Sequence, residues 1–147
     1  MGAHVEQTET STTVTGQDAI RGDFVADMGD ISDTMMTLAC LAPFADAPVR
    51  IAGVGHARAM ESDRNGVVVA NLRRLGVEVD EGQDWLVIHP GQPRSGVVAC
   101  HRDHRIAMAF SVLALRANGV ELDDPDCVTK TFPGFHRMLA DFLADSR

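Results

Sequence analysis

The chain has 147 residues, of which 45% are hydrophobic and 23% charged, and its formal net charge at pH 7 is −8. A chain of this length can bury the core of one domain, or of one lobe of a larger enzyme. The negative charge argues against a nucleic-acid partner, because proteins that bind nucleic acid usually carry a basic face. A membrane-spanning segment is not expected either, since the longest apolar run, residues 106–115, is too short to cross a bilayer.

The cysteines and the N-terminus predict a reduced protein of the cytoplasm. Cys40, Cys100 and Cys127 are odd in number, widely spaced and never arranged as C-x-x-C. This pattern favours free thiols and no structural metal. The first ten residues lack the basic and apolar regions of a secretory signal peptide. We therefore expect cytoplasmic localisation.

The hydrophobic pattern of the first half of the chain predicts alternating strands and helices. Residues 32–42 are apolar on most sides, which predicts a buried helix with Ser32 or Asp33 as its N-cap. Residues 61–76 carry an apolar stripe and end in a glycine, which predicts an amphipathic helix. The remaining segments are predicted strands: a hairpin within 3–22, single strands at 23–27 and 48–55, and a strand pair within 77–91.

The same pattern begins again at residue 96. It predicts a strand at 96–100, a helix at 103–119 that is apolar nearly all round, a strand at 120–128 and an amphipathic helix at 132–146. Strand, buried helix, strand and amphipathic helix thus recur about 70 residues apart, which indicates repeated structural modules. By this periodicity we expect three parts: the end of a preceding unit (1–22), a complete unit (23–94) and a following partial unit (95–147).

Residues 101–105, with the sequence HRDHR, place five polar or charged side chains before a predicted buried helix. A metal site made from His101, Asp103 and His104 is disfavoured, because their spacing matches no common ligand motif. One interpretation is a solvated helix N-terminus with Asp103 as the N-cap. The other is an anion site, in which free N–H groups and the Arg105 guanidinium bind a carboxylate or phosphate.

Charged side chains also stand at three other predicted helix starts. Asp33 precedes the first helix, where an N-cap role is the simpler explanation. Glu61 and Arg64 open the second, where surface ion pairs would also account for them. Lys130 precedes the last helix and is the single lysine in a chain with twelve arginines, which indicates a need for a compact ammonium group. Because ligands of α/β proteins gather where helix N-termini converge, the four starts together predict one anion-binding site.

Several segments of the chain resemble the family of 5-enolpyruvylshikimate-3-phosphate synthases in order and spacing. They are DMGDISDTMMTLA (27–39), ESDR (61–64), NLRRLGVEVDEGQDWLVI (71–88), DHRIAMAFSVLAL (103–115) and TKTFPGF (129–135). The resemblance implies an α/β fold built from βαβαββ units, with this chain forming most of the C-terminal lobe of an incomplete pseudo-threefold arrangement. It also implies transfer of the enolpyruvyl group from phosphoenolpyruvate to the 5-hydroxyl of shikimate 3-phosphate, with release of phosphate and without metal or organic cofactor.

The resemblance further implies a role for each charged helix start. Asp33 would be the general-base candidate near the attacking hydroxyl. Glu61 would exchange a proton with the methylene carbon of phosphoenolpyruvate. Lys130 would be both a ligand of that substrate and a catalytic group, because its charge stabilises the departing phosphate. The substrate-binding residues implied by the resemblance are Arg64, His104, Arg105 and Lys130.

Three positions depart from the family pattern. Met60 stands where the family usually has lysine, His56 where it has asparagine, and Ser32 where it has proline. The first two changes weaken the expected contacts to shikimate 3-phosphate and leave those to phosphoenolpyruvate intact.

The resemblance also implies an N-terminal lobe that this chain does not contain. Because catalysis requires the reactants to be held between two closing lobes, we expect negligible turnover by the chain alone. Three hypotheses stay open: one lobe of a synthase that works with a second lobe, a non-catalytic module that binds phosphoenolpyruvate or another small phosphate, and an enolpyruvyl transferase with an altered acceptor.

Overall fold

The structure, a computed structural model, describes residues 1–145, and this part of the chain contains eight strands and four α-helices. The strands are β1 (His4–Gln7), β2 (Thr12–Thr15), β3 (Phe24–Asp27), β4 (Val49–Ala52), β5 (Val79–Glu81), β6 (Trp85–Ile88), β7 (Gly96–Val98) and β8 (Val120–Leu122). The α-helices are α1 (Met35–Leu41), α2 (Arg64–Arg74), α3 (His104–Ala114) and α4 (Phe135–Asp145). Short 3-10 segments span Gly29–Thr34, Ala42–Phe44, Gly55–Ala59 and Pro125–Lys130.

The strands form one four-stranded sheet and two strand pairs. The four-stranded sheet has the order β3-β4-β6-β5, in which β3 and β4 are parallel and the other neighbours are antiparallel. Strands β7 and β8 pair in parallel, and β1 and β2 form an exposed antiparallel hairpin. From β3 to β6 the order is strand, helix, strand, helix, strand, strand. The predicted α/β class is therefore confirmed, while the pseudo-threefold repeat stays a prediction.

The core lies around α1 and α3, which pack against each other. Helix α3 buries Ile106, Phe110 and Leu113 completely, a spacing of four and three residues that keeps them on one side of the helix. In β4, Val49 and Ile51 are buried while Arg50 between them points to the opposite, half-exposed face. Within residues 1–145, no helix combines the length and the apolar character needed to span a membrane.

Most predicted elements are present, but several of their boundaries are wrong. The strand predicted at 48–55 ends at Ala52, because Gly53 has a φ of +74° and turns the chain, and a side chain there would collide with Asp27. The strand predicted at 120–128 ends at Leu122, because Pro125 starts a 3-10 segment. The helix predicted at 61–76 begins at Arg64.

Two further helices also begin later than expected. The helix predicted at 32–42 is a 3-10 segment up to Thr34 and α-helical from Met35. The last helix begins at Phe135 rather than 132, and residue 146 of its predicted range lies outside the described residues.

Removing the Phe110 side chain tests whether the α1–α3 contact carries the core. Phe110 is fully buried, so Phe110→Ala should lower the free energy of unfolding by about 3–5 kcal/mol, measured by urea denaturation. Leu115→Ala is the matched control, because Leu115 is 42% exposed and its loss should change stability by less than about 0.5 kcal/mol. Equal effects of the two substitutions would contradict this description of the core.

Candidate functional site

Arg64, the first residue of α2, lies at the centre of a charged cluster. Its side chain is only 4% exposed, and it makes two ion pairs. Its Nε donates to Asp103 Oδ2 at 2.9 Å and its Nη1 donates to Asp33 Oδ1 at 2.7 Å. Burial alone would lower the pKa of Arg64, but the hydrogen bonds and charges of Asp103 and Asp33 outweigh burial and raise it. Arg64 therefore stays charged and joins the starts of three helices.

Asp103 is the buried anion that holds this cluster together. It has no solvent exposure, and its Oδ1 accepts from the backbone N–H of Arg105 at 3.0 Å, which confirms its predicted N-cap role on α3. Its Oδ2 accepts from Arg64 and also from Ser62 Oγ at 2.9 Å. Burial pushes the pKa of Asp103 upward, yet the donors from Arg64, Ser62 and Arg105 together lower it below its ordinary value.

Asp33 is bracketed by two guanidinium groups. Arg64 contacts one carboxylate oxygen, and Arg105 Nη2 lies 2.9 Å from the other. Arg105 Nη1 also donates to the Asp33 carbonyl oxygen at 3.3 Å. The expectation that Asp33 caps α1 is wrong: the N-cap position is Thr34, and no side-chain capping bond forms. Asp33 lies inside the 3-10 segment Gly29–Thr34, so it does not stand at the N-cap position of α1, and its carboxylate pairs with the two arginines instead.

Glu61 contacts Lys130 and His104, which come from two other segments of the chain. Lys130 Nζ pairs with its Oε1, and His104 Nδ1 lies 3.2 Å from its Oε2. The contact with His104 is not aligned as a hydrogen bond, so the Nδ1 of this buried ring has no such partner within the described chain. The hydrogen bond from Lys130 is the main reason that the pKa of Glu61 lies below its ordinary value.

All six side chains predicted for the site fall within this cluster. Three cations face three carboxylates, and the carboxylate of Glu61 lies within 4.8 Å of the polar atoms of Asp103 and His104, which joins the two halves. The six predicted residues are Asp33, Glu61, Arg64, His104, Arg105 and Lys130. Their convergence agrees with the expectation of a single site, although Lys130 ends the 3-10 segment Pro125–Lys130 and does not stand at the start of α4. The role of each residue stays a prediction.

The charges of the cluster disfavour a metal ion. Glu61, Asp103 and His104 offer ligand atoms that lie close together. However, both oxygens of Asp103 already accept hydrogen bonds, and Glu61 is paired with Lys130. A divalent cation would therefore have to bind beside Lys130 and the buried Arg64, against their charge. The prediction of no metal stands on this charge distribution.

Sequence reasoning missed the partners that hold the site residues in place. Neither the pairing of Asp103 with Arg64 nor the bond from Ser62 was predicted, because an aspartate before an apolar helix indicates an N-cap and does not identify an ion-pair partner. Next to the cluster, Arg58 and Asp63 form a further ion pair at 3.3 Å, and Asp63 also caps α2.

Replacing Asp103 by asparagine tests the buried pair. Arg64 would lose its buried anion, so we expect Asp103→Asn to lower the free energy of unfolding at pH 7 by about 3 kcal/mol. The folded-state pKa of Asp103 is lowered relative to about 3.9 in the unfolded chain. The wild-type advantage should thus be complete above that value and disappear as the pH falls through the folded-state pKa.

Urea denaturation of both proteins over a pH series measures this difference. Asp141→Asn is the matched control, because Asp141 is exposed on α4 and its charge should matter little. Equal stabilities of wild type and Asp103→Asn at pH 7 would contradict the assignment.

Comparison with known proteins connects this cluster to a family. A family model described as EPSP synthase (3-phosphoshikimate 1-carboxyvinyltransferase) matches residues 1–139. A 3-phosphoshikimate 1-carboxyvinyltransferase of Nostoc punctiforme is 44% identical to this chain over an alignment that covers 92% of the chain. The 3-phosphoshikimate 1-carboxyvinyltransferase of Methanosphaerula palustris is also 44% identical, over an alignment that covers 95% of the chain. The chain spans only 32% and 33% of the lengths of these two relatives.

The solved structures agree with this result. An EPSP synthase from Acinetobacter baumannii superposes with a TM-score of 0.83, covering 95% of this chain and 36% of that one. At 24% identity this likeness supports the fold alone. The resemblance seen in the sequence is nevertheless confirmed by the family model, which covers nearly the whole chain, and the chain therefore belongs to the EPSP synthase family.

Proposed function

We propose that this chain supplies one lobe of an enzyme that transfers the enolpyruvyl group of phosphoenolpyruvate to the 5-hydroxyl of shikimate 3-phosphate and releases phosphate. The observation that carries the proposal is the convergence of three cations and two candidate acid–base carboxylates from four separate segments of the chain. Because the chain spans about a third of its relatives, the activity is proposed for the chain together with a second lobe. The expected cytoplasmic location and the absence of a cofactor are part of the proposal.

In this proposal, substrate binding exchanges one set of anions for another. The Lys130–Glu61 and Arg105–Asp33 pairs are partly exposed, and such pairs contribute little stability. A phosphate or carboxylate presented in a closed cleft can therefore replace Glu61 or Asp33 as the partner. Arg64 behaves differently, because the buried Asp103 holds its Nε while its Nη1 donates to Asp33. Arg64 is the fixed cation, and Arg105 and Lys130 are the exchangeable ones.

The same exchange prepares the carboxylates for proton transfer. When the substrate anion takes over Arg105, Asp33 keeps its bond to Arg64 through Oδ1, and its Oδ2 becomes available to accept the proton of the attacking 5-hydroxyl. When Lys130 turns to the substrate phosphate, Glu61 loses the main cause of its lowered pKa, so it takes up a proton from solvent more readily and can donate that proton to the methylene carbon as the 5-hydroxyl oxygen bonds to the neighbouring carbon. In the elimination step Glu61 takes a proton back from the resulting methyl group, and the C–O bond to phosphate breaks. Lys130 then stabilises the departing charge.

Met60 supports a second candidate function, an enolpyruvyl transferase with a different acceptor. Its side chain is apolar and 43% exposed, directly before Glu61, where the family resemblance implies a lysine for shikimate 3-phosphate. Testing a set of hydroxylated acceptors with the two-lobe enzyme separates the candidates. Use of shikimate 3-phosphate at ordinary enzyme rates would exclude the altered acceptor, and a gain for Met60→Lys only with shikimate 3-phosphate would favour it.

The first test of the proposed function is phosphate release. We expect none above background from the chain alone with phosphoenolpyruvate and shikimate 3-phosphate, and clear release after addition of a polypeptide that comprises the rest of a relative such as the Nostoc punctiforme enzyme. Turnover by the chain alone would contradict the requirement for a second lobe. Binding of phosphoenolpyruvate without turnover in the two-lobe mixture would favour the non-catalytic binding module.

The second test removes the exchangeable cation. In the two-lobe mixture, Lys130→Gln should lower kcat/KM for phosphoenolpyruvate by about 100-fold or more, because a group that stabilises the departing phosphate is lost. Arg137→Gln is the matched control, because Arg137 is an exposed cation on α4 outside the cluster, and it should retain wild-type rates. An unchanged rate for Lys130→Gln would remove Lys130 from the mechanism.

A further inference from the structure

We infer that His56 is a positioning residue for Asp33, acting through a hydrogen bond to Ser32. His56 and Ser32 are two of the three positions that depart from the family pattern, and in the fold these two side chains contact each other. The inference rests on the proposed function in one respect: Asp33 is the carboxylate that accepts the proton there. The contact itself does not depend on that reaction.

The hydrogen bond holds the Asp33 turn at an irregular point. His56 Nε2 and Ser32 Oγ are 2.8 Å apart, and Ser32 is 7% exposed. Ser32 follows Ile31, whose φ of −130° and ψ of +32° interrupt the 3-10 segment Gly29–Thr34. The bond from Thr34 Oγ1 to the Ile31 carbonyl is local to this segment, whereas His56 reaches it from a different element. The two arginines hold the carboxylate of Asp33 from one side, and the bond from His56 adds a long-range tether to the backbone segment that carries it.

The turn that carries His56 is itself anchored. Arg58 Nη2 donates to the Gly82 carbonyl at 2.9 Å, and the backbone N–H of Gly55 donates to Asp84 Oδ1. The segment Gly55–Ala59 is thereby bound to the turn between β5 and β6. His56 is therefore held in a fixed position, and its hydrogen bond fixes Ser32 relative to the turn between β5 and β6. It connects the segment that leads to Glu61 with the segment that holds Asp33.

The chemistry of the bond defines which side chains can replace His56. The serine hydroxyl both donates and accepts, so either neutral tautomer of the imidazole makes the bond. The requirement is thus a polar group at the reach of Nε2. Glutamine places its terminal amide at about that reach, whereas asparagine is one bond shorter. His56→Gln should keep the tether, and His56→Asn and His56→Ala should lose it.

The test uses the chain without substrate and reads the Arg105 guanidinium by NMR. Arg105 Nη2 pairs with Asp33, so its rotation is slow while Asp33 is in place. His56→Ala and Ser32→Ala should each raise the rotation rate about three- to tenfold, the range expected for loss of one hydrogen bond. The double substitution should raise it no further than either single one, because the two side chains form one interaction.

Rescue and control variants separate positioning from a general loss of structure. His56→Gln should stay within about twofold of wild type, and His56→Asn should behave like His56→Ala. His4→Ala removes an exposed histidine from the β1–β2 hairpin and should leave Arg105 unchanged. Unchanged Arg105 rotation in His56→Ala, or a His56→Gln variant that resembles His56→Ala, would overturn the inference.

A second readout uses phosphate release in the two-lobe mixture, where His56→Ala should lower kcat and His56→Gln should restore it. If neither the wild-type mixture nor any variant releases phosphate, but the Arg105 rotation rates differ between variants as expected, the proposed function fails and the positioning role is supported. If wild type turns over and His56→Ala matches its kcat, the positioning role is overturned and the proposed function stands.

Discussion

The ion pair between Arg64 and Asp103 is the interaction on which the site depends. Both side chains are almost fully buried, so neither charge is stable without the other. The pair connects the first residue of α2 with the N-cap of α3, and Asp103 also satisfies the first turn of α3. A buried pair of this kind contributes little net stability compared with apolar packing, but it fixes the relative positions of two helix starts. The convergence of the charged groups follows from that constraint.

From Arg64 and Asp103 toward the surface, the charged side chains become more exposed and their ion pairs become easier to break. Asp33 is about half exposed and Lys130 more than half, whereas Arg64 is nearly inaccessible. Exposed pairs cost little to break, because water solvates the separated groups. The site therefore combines a buried part with an outer part of exposed ion pairs, and in the proposed function these outer pairs are the ones that an anionic substrate replaces. A uniformly buried cluster would hold its own carboxylates too tightly to accept a ligand.

The sequence was sufficient to predict the element order, because periodicity reports burial, and the charged residues near helix starts, because those are local features. Asp103 as an N-cap was predicted for the same reason. His104 was expected only from the family resemblance. The pairings were not predictable, since Arg64 is buried only because Asp103 lies beside it, and no local pattern reports a partner 39 residues away. Two local predictions were wrong because another constraint overrode the local preference. For the Asp33 cap it was a distant ion-pair partner, and for the strand predicted at 120–128 it was the geometry of Pro125.

The contact between His56 and Ser32 extends this argument to sequence variation. Each change, taken alone, looks like the loss of a family feature: a proline that would stiffen the turn before Asp33, and an asparagine on a neighbouring turn. In the fold the two side chains form one hydrogen bond. Serine restricts the backbone less than proline does, and the hydrogen bond from His56 on an anchored turn restricts the same segment in a different way. Deviations from a family pattern therefore have to be judged by what they contact, because two apparent losses can constitute one retained constraint on the same carboxylate.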